Sequence, residues 1–508
     1  MKIYNLLLII SIVFIIILGF FYQRQALSFH FVDEEDNIVL GSYLFKGEKL
    51  YSDLFSQHQP LAYIGSAGIT KVTDPNTLFL LIKRHREAVI AWSIFWAVIL
   101  IIRFRVVMVL SLLIYEPMKI FLLGNLFLSE SLVVYPFTYL LGWIFLADKK
   151  IYKWEIFFLG ICVALSFLLL SPLWPVLFVL TFLIIKKLGK LGRLGWLGFL
   201  GGLLVPIILT LNFISIPDYF FNAFYINFKY YIPMTSKGPL WETLFKAFFA
   251  PIISLTLWEG RSATLQVIQL LSVILLINSF ILWKIKKYNL IILIFIILGL
   301  TNLRYIVPGQ QSYSGFHILP WFIALILATM VTVKFAWEKY HQVWWKIFLF
   351  ILIISLSVTI FRESSILLKS TDLNKDFYIN YSRQADIGSA VKIMKDNNDS
   401  LFVVPDDWLI YYAADIPHFS KMVNYYAWMS DVPEIKQPLH QKFESNLPTF
   451  FYCDRCQFGY FGLEKYFGNY KYLKKDGKYT SLMVLKNKLK NLTESQINEL
   501  KYYNFTLD

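Results

Sequence analysis

Polar residues in this chain gather in short clusters that punctuate long apolar runs. A bilayer core of roughly 30 Å needs about 20 apolar residues per helix. Runs near that length occupy 4–21, 87–102, 106–123, 131–147, 154–170, 173–185, 194–214, 264–283, 289–303, 317–333 and 345–361. They predict eleven spanning helices, bounded by charges, Gly or Pro. The stretch from Leu244 to Trp258, broken by Pro251, is short and reads as a re-entrant or interfacial helix, so the span count is about 11–13. Beyond Phe361 the pattern changes. Ala385 to Lys395 has the spacing of an amphipathic helix, and Leu401–Pro405, Thr449–Cys453 and Ser481–Leu485 read as strands. The expected fold class is therefore mostly α: a polytopic transmembrane bundle over 1–361, followed by a small extracytoplasmic α/β domain over 362–508.

Composition agrees. At 57% hydrophobic and 16% charged, the 508 residues do not describe a soluble globule. Trp143, Trp174, Trp196, Trp258, Trp283 and Trp345 fall near the ends of apolar runs, where aromatic rings anchor helices at the headgroup level. The net charge of +14 is spread over the connections between runs rather than over one polar domain, which argues against nucleic acid as a partner.

That spread sets an orientation. Arg103 and Arg105; Lys149, Lys150 and Lys153; Lys186, Lys187, Lys190 and Arg193; Lys284, Lys286 and Lys287; and Lys334, Lys339 and Lys346 occupy every second connection. By the positive-inside rule those connections are cytoplasmic, the amino terminus is inside, and the tail is outside a cell membrane. The first run has no small-residue cleavage site after it and reads as a retained helix. Two outer connections are long, 22–86 and 215–263. The Lys83-Arg84-His85-Arg86 cluster breaks the charge rule by falling outside, which invites a functional reason.

Candidate chemistry is thin in known signatures: there is no phosphate-binding glycine loop, no HExxH and no Ser-His-Asp pattern. Three cysteines are too few for a disulfide framework. Cys162 packs within an apolar run, and Cys453 and Cys456 read as a local disulfide or two inert thiols. The polar hot spot is the first outer connection, with Asp33-Glu34-Glu35-Asp36, then Gly47 to Tyr51, then His58-Gln59-Pro60-Leu61. Four neighbouring acids should raise at least one pKa.

In order and spacing this arrangement resembles the GT-C superfamily of membrane glycosyltransferases, including protein O-mannosyltransferases and the aminoarabinose transferases of lipid A, with the bacterial branch nearest. The family pattern is an Asp-Glu pair outside helix one, a Gly-containing segment, and a basic or His residue before Pro-Leu. The resemblance implies transfer of a sugar from a polyprenyl-phosphate donor to a lipid, glycan or protein acceptor. It implies the first-loop acid, Asp33, as catalytic base and a second acid after helix three. Glu34 would orient the base, or bind acceptor or metal, and Asp36 could share either task; Glu35 has no counterpart in the family pair. Glu130 matches the second acid, and it also suits the N-terminus of a helix, with Ser129 as a possible cap.

For the departing phosphate the candidates are Lys83, Arg84, Arg86 and Arg304, Arg being favoured by its forked donors. His58 and His317 are candidate ligand or phosphate contacts. A divalent metal held by His58 and Glu34 is the implied cofactor, though Gln57 stands where the family has an acid, which weakens that implication. Glu116-Pro117 reads as a kink with Lys119 nearby. A multi-pass transporter or lipid flippase is the alternative function, and a membrane scaffold with an outer binding domain is a third.

Overall fold

The computed structural model describes residues 2–147, 152–189, 192–235, 239–257, 262–304, 315–339, 343–364, 371–454, 456 and 462–507. Lys149, Lys150 and Lys190 of the basic connections, and Trp258, lie outside them. The chain divides into two units, one of residues 1–25, 86–210 and 237–370, the other of residues 26–85, 211–236 and 371–508.

Helices occupy all eleven predicted runs. Among the described residues five are long and apolar enough to cross a membrane, within Leu78–Phe104, Ser129–Leu146, Ser171–Leu188, Thr264–Lys284 and Gly315–Lys339. Others are shorter: the apolar part of the first covers Ile9–Arg24, and Gly195–Leu211 and Tyr288–Thr301 also fall below that length. The second helix starts at Leu78 rather than at the expected 87, because no Gly or Pro interrupts Leu78–Phe104. Lys83, Arg84 and Arg86 are thus helical residues. Val106–Met118 carries Pro117 in its last turn and gives way to a 3₁₀ turn, Lys119–Leu122, closed by Leu123 at φ 59°. The expected kink is a helix end.

The first unit displays apolar surface. Phe178, Phe182, Leu209, Phe350 and Val358 are each about 60% exposed, an arrangement that water penalises and lipid does not. Its helices also approach closely through small residues. A Cβ at Gly202 would lie 1.9 Å from the Phe157 carbonyl oxygen, and one at Gly160 would lie 2.2 Å from that of Phe199. Backbone contact of this kind provides van der Waals packing where no hydrophobic drive separates helix from solvent.

The second unit is built differently. Its sheet has the order β1-β2-β4-β3-β5, with strands Leu401–Val404, Phe450–Cys453, Tyr470–Lys475, Lys478–Leu485 and Phe505–Leu507 numbered along the chain. β1 and β2 are parallel, with Phe402 opposite Phe451, and the remaining pairs are antiparallel. Every residue of β1 and β2 is buried, as expected for strands covered on both faces. The β3–β4 hairpin turns at Asp476-Gly477, both at positive φ, the two-residue turn that such a pair favours. Helix Leu373–Met394 is capped by Asp372, whose Oδ1 accepts from the Asn374 N–H at 2.9 Å. Cys453 and Cys456 are joined by a disulfide, and Cys162 is a buried free thiol.

This unit takes in nearly all of the first long connection, residues 26–85, and the first part of the second, up to residue 236, while the remainder of the second belongs to the first unit. The tail core of Phe402, Tyr425, Phe443 and Phe451 also contains Phe55 and Ile226. Backbone bonds tie the pieces: Phe55 N–H to Lys421 O at 2.8 Å and Leu50 N–H to Phe213 O at 3.0 Å. The connections are themselves folded. Residues 32–45 and 61–73 are the helices Val32–Phe45 and Leu61–Thr73, and Phe221–Tyr231 is a π-helix. The first two cross so closely that a Cβ at Gly41 would fall 2.2 Å from Ser66 Oγ.

Candidate functional site

The four acids lie in the first turns of helix Val32–Phe45, after Phe31, whose extended backbone starts the helix without a side-chain cap. Carboxylates there offset unsatisfied N–H groups and the positive end of the dipole. Helical geometry turns successive side chains by about 100°, so the acids face different surroundings. Asp33 is half-buried, whereas Glu34, Glu35 and Asp36 are buried. Glu34 is within electrostatic reach of His85, whose Nε2 lies 2.8 Å from Ser66 Oγ.

Asp36 has the clearest environment. Its Oδ2 accepts from Tyr63 OH at 2.5 Å and its Oδ1 from Asn424 Nδ2 at 2.7 Å. Tyr63 OH is also 2.8 Å from Ser56 Oγ. Burial pushes the Asp36 carboxyl up to about 7, against the two hydrogen bonds, which favour the ionised form. The expected rise in an acid's pKa is present, but its leading cause is burial rather than the adjacent acids.

Glu35 was set aside in the sequence reading for want of a family counterpart. It is buried and hydrogen-bonded by His30 Nε2, and the Leu409 N–H points at its other oxygen at 3.4 Å. Burial again raises its pKa. His30, Glu35 and Asp407 are the one group of three or more potential metal ligands within mutual reach among the described residues. The donor set does not fit a resident divalent cation. Asp407 Oδ2 accepts from Arg383 Nη2 at 2.5 Å and Tyr452 OH at 2.7 Å, and its Oδ1 accepts from Gln384 Nε2 at 2.5 Å. A dication would have to displace a guanidinium whose charge already neutralises the carboxylate. His58 and Glu34 join no such group among the described residues. His58 is exposed; its N–H donates to Ser56 Oγ and its carbonyl accepts from Tyr51 OH. Lys83 is half-buried, with its Nζ 6.0 Å from the Phe79 ring centroid, and Arg84 is exposed.

In the first unit, three sequence candidates meet. Glu130 is the second residue of Ser129–Leu146; the cap position is Leu128, in extended conformation, so Ser129 is not the cap. Glu130 Oε1 lies 2.6 Å from His317 Nδ1 and 3.7 Å from Arg304 Nη1. His317 Nδ1 is also 2.9 Å from Arg304 Nη1. One ring nitrogen either donates to the carboxylate or accepts from the guanidinium, so the neutral tautomer selects between these contacts. Glu130 is buried, while the side chains of His317 and Arg304 remain 25% and 35% exposed. The arrangement is a buried anion that holds two accessible cationic or donor groups. Arg86, on Leu78–Phe104, is buried at 1% exposure.

No protein-family model matches the chain, and no curated protein matches it significantly.

A second polar cluster in this unit is closed. Lys119 Nζ reaches Glu116 Oε2 at 2.6 Å, Ser93 Oγ at 2.8 Å and Tyr135 OH at 2.9 Å, using its three donors. Tyr135 OH donates to Glu116 Oε1 at 2.8 Å, and Tyr22 OH donates to the Glu116 carbonyl. A buried ion pair this well satisfied holds helices together and leaves no donor for cargo.

Sequence reasoning missed His30, Asp407, Arg383, Tyr63 and Asn424. Asp407 and Asn424 lie hundreds of residues from the acids they serve, and nothing local marks them.

Proposed function

We propose that the chain spans a cell membrane and is a GT-C-type glycosyltransferase, moving a sugar from a polyprenyl-phosphate donor to an extracytoplasmic acceptor with inversion at the anomeric carbon. The observation that carries the reading is the meeting of Glu130, His317 and Arg304, 187 and 13 residues apart. These were selected on sequence as second acid and phosphate contacts. Support for the membrane comes from five helices of spanning length and the apolar surface of the unit that holds them. The alternation of Lys and Arg supports an inside amino terminus, with the tail outside.

The chemistry divides simply. An acceptor hydroxyl attacks the anomeric carbon, forming one C–O bond as the C–O bond to phosphate breaks. Its proton passes to a carboxylate, the role we assign to Asp33, which is less buried than its three neighbours. The phosphate leaves with the bonding pair, and the guanidinium of Arg304 is suited to that charge. Glu130 and His317 are positioning residues for Arg304. Arg86, Arg84 and Lys83 are the further basic candidates, and Glu34 and Asp36 are supporting acids. The transporter or flippase alternative would draw on the Glu116–Lys119 pair, whose donors are fully used.

The test is transfer from radiolabelled polyprenyl-phosphate sugars by purified protein. Asp33→Asn should lower the rate by roughly 10²–10⁴, the contribution of a positioned base, and leave donor binding intact. A wild-type protein inactive with every such donor, together with unchanged envelope glycans in a deletion strain, would refute the reading.

A further inference from the structure

The second unit carries a polar pocket of about 750 Å³. It lies where three of that unit's elements end or begin: the end of helix Pro433–Ser445, the end of the 3₁₀ turn Glu464–Asn469, and the junction of β4 with the short helix Lys486–Lys490. Ser445, Asn446, Asn469 and Asn487 line it, and all four are exposed. Only part of their bonding capacity is used within the chain. Ser445 Oγ donates to Lys442 O at 3.0 Å and Asn469 Nδ2 to Tyr466 O at 3.2 Å, while the side-chain amides of Asn446 and Asn487 form no hydrogen bond among the described residues. Four further members of the lining are apolar or aromatic. Phe443 and Tyr466 are buried, their rings stacked with centroids 5.0 Å apart, and Leu447 and Leu485 are half-buried. One acid and one base complete the wall, Glu444 and Lys486, so it carries no net charge. Both are engaged, Glu444 Oε1 by Lys465 Nζ at 3.0 Å and Lys486 Nζ by Gly468 O at 2.6 Å.

We propose that this pocket binds a neutral oligosaccharide, its hydroxyls on the amides of Asn446, Asn469 and Asn487 and its C–H faces against Tyr466, Leu447 and Leu485. An amide donates and accepts, as a sugar hydroxyl does, so three amides can serve neighbouring hydroxyls whichever way each is turned. Ligand sites combine apolar surface with a few placed polar groups and span roughly 300–1,000 Å³, a range that includes this pocket. An anion is disfavoured, because helix Pro433–Ser445 ends here and brings unsatisfied carbonyls and the negative end of its dipole. A wholly apolar ligand would strip water from the amides without replacing their hydrogen bonds. None of the lining residues takes part in the proposed transfer chemistry, so holding a glycan on the second unit is a separate function that stands whether or not the chain transfers sugar.

The experiment is saturation-transfer NMR titration of the full chain, without any donor, with maltotriose, mannotriose, chitotriose and, as the anionic comparison, trigalacturonate. The detergent is lauryldimethylamine oxide, since a maltoside would itself supply a sugar. At least one neutral trisaccharide should bind with a dissociation constant of about 1 mM or tighter, and trigalacturonate should bind more weakly. Each neutral hydrogen bond contributes on the order of fivefold in affinity. Asn446→Ala with Asn487→Ala should therefore weaken the neutral ligand at least about tenfold. The control pair, Gln437→Ala with Gln441→Ala, is exposed on the same helix but outside the lining and should retain binding. Should the double variant misfold, Ser445→Trp fills the pocket from an exposed position and should abolish binding. Absence of binding by all three neutral trisaccharides, tighter binding of trigalacturonate, or equal loss in the control pair would each overturn the proposal.

Discussion

Replacing Asp36 with asparagine should make the second unit less sensitive to pH, and the size of the effect follows from the carboxyl's surroundings. Asp36 is buried and titrates at about 7 in the folded chain, against about 3.9 for an unfolded Asp. The folded state therefore binds the proton more tightly. Below pH 4 both states are protonated, and the group has no pH-dependent effect. Between about 4 and 7 the unfolded chain ionises first, so stability falls as pH rises, and above about 7 the loss is complete. The gap corresponds to about 4 kcal/mol at its full extent. Asp36→Asn cannot ionise and escapes that loss. Its cost is a rearrangement of Tyr63, whose hydroxyl can donate to Ser56 and accept from the new amide; that exchange should cost about 1 kcal/mol.

The two proteins should accordingly be about equally stable near pH 4.5, where wild type has already lost about 1 kcal/mol, and the variant should be the more stable by about 3 kcal/mol near pH 8. Hydrogen exchange of peptides covering Leu401–Val404, measured on the full chain from pH 4.5 to 8 and corrected for intrinsic exchange rates, reads local stability without requiring a two-state whole. The difference between the two proteins isolates Asp36 from other titrating groups. A difference that does not vary with pH would show that Asp36 is ionised throughout, and the burial argument would fail.

Arg304→Ala should weaken use of the phosphate-linked donor by at least about tenfold with thermal stability little changed, and Arg304→Lys should rescue it only in part, because a point charge does not reproduce a fork; donor titrations of both variants decide. Glu35→Gln keeps shape but leaves His30 facing a neutral amide in a buried site, so the melting temperature of the detergent-solubilised protein should fall by several degrees, equivalent to about 1–3 kcal/mol; an unchanged value would remove the His30 bond from the fold. A phosphatase reporter fused after Arg362 should be active outside the cytoplasm and one fused after Lys187 inactive; the reverse result would invert the topology.

Hydropathy was legible because a spanning helix is a statement about length and composition, and every run expected on that basis is helical. Its ends were less so. Leu78–Phe104 continues through four consecutive basic or imidazole residues that looked like a connection, since nothing in Lys83 to Arg86 breaks a helix once the chain around it is helical. In the tail, the strands rich in β-branched and aromatic residues were readable, whereas β3, with three lysines among six residues, was not. The Asp476-Gly477 turn that joins it to β4 was a usable signal that went unread.

The site divides along the same line between local and distant information. Glu130 could be found because an acid at a helix start beside apolar sequence is conspicuous, and Arg304 and His317 because charge and imidazole are scarce in such surroundings. The acids of 33–36 were conspicuous too, but reading them as one anionic patch supposed an extended loop. Residues 32–40 contain neither Gly nor Pro, and acids in a first turn are themselves a helix-start signal. Once that segment is helical, each acid acquires its own partner, and the partners come from far along the chain: Asp36 is bound by Asn424, and Glu35 shares its cluster with Asp407. A buried carboxylate is tolerated only with donors of this kind. The sequence can therefore show that such donors are required, while the fold alone determines which residues supply them.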